Sequence, residues 1–91
     1  MAATASIKHS DFVSEPMGEK DVDRVPGIGE QYAKKLRKEG FDKAYLLLGQ
    51  FLILKQNEEL FVTWIVDMGG LSRKHAEQCA KAFTEWVGQN L

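Results

Sequence analysis

From Gly29 onward, apolar residues recur at three- and four-residue intervals and the pattern stops at glycines, first at Gly40 and then at Gly69-Gly70. That period is helical, and alternating strand-like runs are scarce. A first helix is expected over Ile7–Val13, ended by the turn Glu15-Pro16-Met17-Gly18, because proline disfavours helical geometry in the residue before it. A brief helix is expected over Lys20–Val25. The next spans Gly29–Glu39, with Gly40 as its left-handed C′ residue. Asp42 is the expected N-cap of a helix Lys43–Leu54, and Asn57 of one over Glu58–Met68. Glu58 and Glu59 then lie in that helix's first turn, where its dipole favours them. Ser72 caps the last, Arg73–Val87. The pattern predicts an all-α chain, one compact domain over residues 1–91 with five or six helices and short connections.

The helix Lys43–Leu54 is apolar on nearly every side: Tyr45, Leu46, Leu47, Leu48, Phe51, Leu52, Ile53 and Leu54 surround it. A surface helix shows one apolar stripe. Two explanations stand side by side, a central core helix or a helix with one face on the domain and another on a second subunit. Gly49 costs about 1 kcal/mol relative to alanine inside a helix, which suggests close approach of another backbone there.

Ninety-one residues make one small domain with a thin stability margin. The single cysteine, Cys79, excludes an intrachain disulfide and a thiolate zinc cage, and fits a reducing compartment. No apolar stretch is long enough to span a bilayer, and the first residues lack the apolar core of a signal peptide. With 12 basic and 13 acidic residues the net charge is −1, so a case for nucleic acid rests on where the charges sit.

They sit beside an informative segment. Val22-Asp23-Arg24-Val25-Pro26-Gly27-Ile28-Gly29-Glu30-Gln31-Tyr32-Ala33-Lys34-Lys35-Leu36 reads as a short helix, a tight Gly-Ile-Gly hairpin and a second helix. Gly27 and Gly29 permit the turn and a close backbone approach. Ile28 points inward, Ala33 lets the helices cross closely, and Val22, Val25 and Leu36 supply apolar contacts. The unpaired N–H groups at the second helix start then form an anion site. The segment, about residues 20–38, resembles the helix-hairpin-helix motif of non-sequence-specific DNA binders. Lys34, Lys35, Arg37 and Lys38 follow, opposed locally only by Glu30 and Glu39.

A weaker copy lies 43 residues later: Gly70-Leu71-Ser72-Arg73-Lys74-His75-Ala76 aligns with Gly27-Ile28-Gly29-Glu30-Gln31-Tyr32-Ala33. Arg73 and Lys74 in a first turn oppose the helix dipole, a penalty that a bound phosphate would reverse. A second DNA contact and ordinary surface cations are both open there. Lys8 and His9 could add another phosphate contact or belong to a solvated tail. His9 and His75 have no acidic or cysteine partner at ligand spacing, so no metal is assigned. Cys79, Phe83 and Trp86 read as core. No nucleophile–base pair or nucleotide loop is visible, and neither an enzyme nor a cofactor is expected.

With these residues in hand, the chain resembles the barrier-to-autointegration factor family of small chromatin proteins. The likeness runs through Lys8-His9, Asp11-Phe12-Val13, Glu15-Pro16-Met17-Gly18-Glu19-Lys20, the Gly27-Ile28-Gly29 hairpin, the stretch Gly40 to Leu54, Leu60-Phe61 with Trp64, and Glu85-Trp86. The resemblance implies an all-α homodimer with a layout like that of a SAM domain. It implies that each subunit binds double-stranded DNA without sequence preference, so that one dimer bridges two duplexes. The DNA-binding set is then Lys8, Gly27, Ile28, Gly29, Gln31, Tyr32, Lys34, Lys35, Arg73 and Lys74. The resemblance further implies a groove across the dimer for LEM-domain proteins of the inner nuclear membrane, matched here by Leu48, Gly49, Leu52, Ile53, Lys55 and Leu60. Lamins and histones are implied as further partners, and nucleus, nuclear envelope, chromatin and cytoplasm as locations, with no membrane insertion. Two departures matter. Ala2 and Ala3 replace part of an N-terminal Thr/Ser cluster that kinases modify, leaving Thr4 and Ser6. Glu77 stands where relatives often carry a basic residue, which weakens the second DNA contact.

Two rival functions are less well supported. DNA glycosylases with lyase activity carry a lysine in a similar hairpin, but the aligned residue here is Gln31, and the chain is short for a pocket around a flipped base. A SAM-like protein-interaction domain without DNA binding shares the helical layout but does not explain the basic hairpin.

Overall fold

The computed structural model describes residues 3–91, with side chains from Ile7 onward. Five α-helices follow in order: α1 (Ala3–Ser14), α2 (Glu30–Lys38), α3 (Ala44–Ile53), α4 (Glu58–Gly69) and α5 (Arg73–Asn90). A single 3-10 turn, Val22–Arg24, precedes α2. No strand occurs among the described residues, only an isolated bridge between Asp21 and Lys43.

Four phenylalanines, one from each of four helices, organise the core. Phe51 of α3 stacks on Phe83 of α5, with ring centroids 5.9 Å apart. Phe61 of α4 meets both rings at 5.6 and 5.7 Å, edge-on. Phe12 of α1 meets Phe83 edge-on at 5.5 Å. Each such pair adds about 0.5–1.5 kcal/mol beyond its apolar burial. Cys79 and Trp86 join this core, as their spacing on α5 predicts. The Trp86 Nε1–H also donates to the Glu15 carbonyl at 2.9 Å, fixing the turn that follows α1.

Where the local sequence controls an end, the expected signals are present. Asn57 accepts from the Leu60 N–H at 3.0 Å, and Ser72 from the His75 N–H at 3.3 Å. Gly40 and Gly70 take the left-handed conformation, with φ of 94° and 71°.

Four elements differ from expectation. Helix α1 begins earlier and α5 ends later than their apolar stripes suggest. The segment expected as a helix over Lys20–Val25 is only a 3-10 turn, because Pro26 holds Val25 extended at ψ 131°. Asp42 does not cap α3. Lys43 takes the N-cap place in extended geometry, and the backbone of the 42–44 segment pairs with that of 20–22. Val22 N–H donates to the Asp42 carbonyl at 3.0 Å, and Ala44 N–H to the Lys20 carbonyl at 2.9 Å. A tertiary hydrogen bond thus satisfies a donor that a side-chain cap would have served.

Helix α3 buries Ala44, Leu47 and Phe51 and leaves Tyr45, Leu52 and Ile53 exposed. It is therefore not buried on every side. Among the described residues no helix is long and apolar enough to cross a membrane.

Candidate nucleic-acid interface

The hairpin is held from below by apolar packing. Val22, Val25, Ile28, Ala33 and Leu36 are all fully buried. Gly27 has a φ of 88°, and a Cβ placed there would run into the His75 carbonyl oxygen. Glycine is required at 27 for two reasons, backbone conformation and the close seat of the hairpin on α5. Gly29 is different. Its φ of −95° suits any residue, and apart from its chain neighbours no described atom lies within 4 Å of where its Cβ would be. The turn does not need glycine at 29; its missing side chain leaves the start of α2 bare.

That bareness has chemical content. Gly29 is the N-cap of α2 and offers no side-chain acceptor. The first helical bond runs from Ala33 N–H to the Gly29 carbonyl at 2.9 Å. The preceding amides have no intrahelical acceptor, and the helix dipole adds positive potential at the same place. They lie along a shallow groove lined by Lys8, Gly27, Gly29, Tyr32, His75 and Gln78. Gln31 also faces it. Ile28 contributes backbone only, since its side chain is in the core.

Lys8 reaches this groove from α1. Its Nζ donates to the Ile28 carbonyl at 2.8 Å, tying α1 to the hairpin tip. Burial pulls the Lys8 ammonium below the ordinary lysine range, with Asp23 opposing the shift. His9, the other N-terminal candidate, does not line this groove; it pairs with Glu85 at 2.8 Å beside an adjoining hollow that Lys8 and Gly27 also line.

The cations divide into engaged and available ones. Arg37 donates to Asp21 at 2.6 Å and to Glu30 at 3.0 Å, with Asp23 at 3.6 Å. Asp21 and Asp23 thus oppose the basic run as well as Glu30, and Arg37 is a structural clamp. Its hydrogen bond also holds the Asp21 carboxyl below the usual carboxylate range. Arg73 is likewise engaged, by Glu59 at 2.7 Å and Glu77 at 3.0 Å. Lys34, Lys35, Lys38 and Lys74 form no ion pair with any described residue and are exposed. The Lys35 stem lies over Gly70, where a Cβ would sit 3.6 Å from its Cδ, so its ammonium extends toward the second glycine turn.

The two glycine turns are joined directly. The Tyr32 hydroxyl lies 3.2 Å from His75 Nδ1 and accepts from the Ser72 N–H at 3.4 Å. Ser72 Oγ lies 2.8 Å from the same Nδ1. Sequence reasoning passed over His75 and Gln78 as groove-lining residues. The signal for His75 is its register, since it aligns with Tyr32 in the weak repeat.

The second set of expected residues lies elsewhere. Leu52 is 37% exposed, Ile53 74% and Leu60 52%, an unusual amount of open aliphatic surface for residues near one helix junction. Leu48 and Gly49 are half-buried and Lys55 is exposed. Beyond its own helix backbone, no described atom lies within 4 Å of a Cβ built on Gly49, so no described backbone elsewhere accounts for that glycine. The side chains of Thr4 and Ser6, expected as phosphorylation sites, lie outside the described residues.

The sequence profile for barrier to autointegration factor matches residues 3–90. Barrier-to-autointegration factor of Homo sapiens is 53% identical over 83 residues, covering 91% of this chain and 93% of its own length. The protein of that name in Danio rerio is 50% identical over 89 residues, or 98% and 99% of the two chains. Barrier-to-autointegration factor 1 of Caenorhabditis elegans is 45% identical over 86 residues, 94% and 97%. The helical layout is that of a SAM-like domain, and matches of this identity over this length leave one conclusion: the chain belongs to the barrier-to-autointegration factor family.

Proposed function

We propose that this protein is a homodimer that binds double-stranded DNA without sequence preference and bridges two duplexes. The observation that carries the reading is the bare start of α2 at Gly29, whose unpaired amides lie in one groove with Lys8. A phosphate oxygen there would accept backbone N–H groups, gain from the helix dipole and meet a nearby ammonium. Available lysines at 34, 35 and 74 extend the positive surface around it. Backbone donors and lysines read phosphates, which are the same in every sequence.

The open apolar surface at Leu52, Ile53 and Leu60, with Leu48, Gly49 and Lys55, serves the dimer and the LEM-domain proteins that the family resemblance implies. Lamins and histones complete the expected partners, which places the protein at chromatin and the nuclear envelope, with a cytoplasmic pool. No catalytic step and no cofactor belong to this reading. A SAM-like protein-interaction domain without DNA binding is the alternative, and the exposed apolar surface alone would suit it.

Titrating a random-sequence duplex at several salt concentrations separates the two. Affinity should fall steeply, with log K dropping by about 0.9 per log unit of salt for each phosphate neutralised. No binding to duplex DNA at low salt would leave the interaction domain.

A further inference from the structure

We infer that His75 is itself a phosphate ligand of this interface, presenting Nε2–H to the DNA backbone, and that Tyr32 and Ser72 position it by fixing its tautomer. The inference rests on the proposed DNA binding at the hairpin. It adds a donor that the hairpin motif does not supply.

The geometry is specific. Two hydroxyls converge on one ring nitrogen, Ser72 Oγ at 2.8 Å and Tyr32 Oη at 3.2 Å from Nδ1. Both oxygens already accept a backbone proton, Ser72 Oγ from the His75 N–H and Tyr32 Oη from the Ser72 N–H. Their own protons are therefore free to point at Nδ1. A neutral imidazole that accepts at Nδ1 carries its proton on Nε2. A protonated imidazole carries one there as well. Only the Nδ1–H neutral tautomer lacks an Nε2 donor, and it would waste the Ser72 hydroxyl proton.

Nε2 is not spent inside the protein. No described residue hydrogen-bonds it, and no buried side-chain nitrogen among the described residues lacks a partner, so Nε2 is not sealed from solvent by them. The ring lines the same groove as Gly29 and Lys8. It stands edge-on to Tyr32, with ring centroids 5.4 Å apart, which limits its rotation. The donor is thus held in orientation before DNA arrives, so little freedom is lost on binding.

The test uses the full-length protein, a random-sequence duplex and two substitutions that keep a polar amide. Gln at 75 places its NH2 near the Nε2 position, whereas Asn reaches only as far as Nδ1. His75→Asn should weaken binding about tenfold, the loss of one hydrogen bond to a charged acceptor. His75→Gln should stay within about threefold of wild type. Imidazole nitrogen NMR of the free protein should show the Nε2–H form, with a shift of that signal on adding DNA. In the double variant Tyr32→Phe/Ser72→Ala the tautomer preference should relax while helical circular dichroism is kept. An Nδ1–H ring in the free protein, or equal affinities for the Gln and Asn variants, would overturn the inference. If those affinities are equal but Gly29→Glu still abolishes binding, the hairpin's role stands and only His75 is excluded. If Gly29→Glu binds like wild type, the hairpin's role falls and takes this inference with it.

Discussion

Tyr32 and His75 hold matching places in two glycine-containing helix starts, 43 residues apart, and their side chains meet, hydroxyl to Nδ1 at 3.2 Å. The weak internal repeat is therefore a physical pair. Gly27 of the first turn lies against the His75 backbone of the second, and Lys35 of α2 reaches over Gly70. Two helix starts that separately would be ordinary ends are packed into one positively poised surface.

The two hairpin glycines are expected to fail differently. Gly27→Ala forces a Cβ into the His75 carbonyl at a positive φ and should cost at least about 2 kcal/mol of stability. Gly29→Ala meets open space and should leave thermal stability near wild type. Gly29→Glu should also fold, yet abolish DNA binding, because its carboxylate would sit where the proposed phosphate contact is made. Chemical denaturation and duplex titration of the three variants check this. Normal affinity in a folded Gly29→Glu protein would remove the hairpin from the mechanism.

The cations at the start of α5 should be unequal. Arg73 is engaged by Glu59 and Glu77, so Arg73→Ala should change the salt slope little. Lys74 has no such partner, and Lys74→Ala should lower the slope by about one. Glu77→Ala loosens Arg73 from one of its two acids and should strengthen binding. Equal slopes for wild type and Lys74→Ala would make Lys74 a plain surface charge.

Cys79 is fully buried, and burial pushes its thiol well above the ordinary 9.0, with Lys8 opposing weakly. The folded form keeps the proton at a pH where the unfolded chain loses it. The resulting stability is present below about pH 9 and is lost as pH rises further. The urea midpoint should therefore fall between pH 8 and 10, less so in Cys79→Ala, which costs about 1 kcal/mol of packing at neutral pH. A thiol reagent should label Cys79 only on unfolding. Rapid labelling of the native protein would contradict its burial.

Much of this fold is legible from local chemistry. Asn57 and Ser72 cap helices because the side-chain acceptor and the amide it serves are three residues apart. The buried Val22, Val25, Ile28, Ala33 and Leu36 follow from their spacing alone. Asp42 misleads for the opposite reason. The start of α3 is satisfied by the backbone of Lys20 and Val22, and no pattern near Asp42 announces that pairing. The site is legible in the same uneven way. Lys8 and the glycines can be named from sequence. That Arg37 and Arg73 are engaged by acids, and that His75 faces the hairpin, depends on contacts between distant segments.

Gly49 stands on the half-open side of α3, and a Cβ built on it would meet no described atom within 4 Å beyond its own helix backbone. If the proposed dimer contact lies here, Gly49→Glu should fold as a protomer but part the dimer, since an unpaired carboxylate buried at a subunit contact costs several kcal/mol. The monomer should still bind one duplex, weakly, and should not compact long DNA. Sedimentation alongside a bridging assay reads both. A monomeric Gly49→Glu protein that bridges as well as wild type would uncouple bridging from the dimer.

The molar mass of the wild-type protein in solution, with and without a short random-sequence duplex, tests the central claim most directly. Light scattering at micromolar concentration should give a dimer alone and, with excess DNA, one dimer carrying two duplexes. A monomer that takes up no duplex, or a monomer that nevertheless holds two duplexes together, would contradict it.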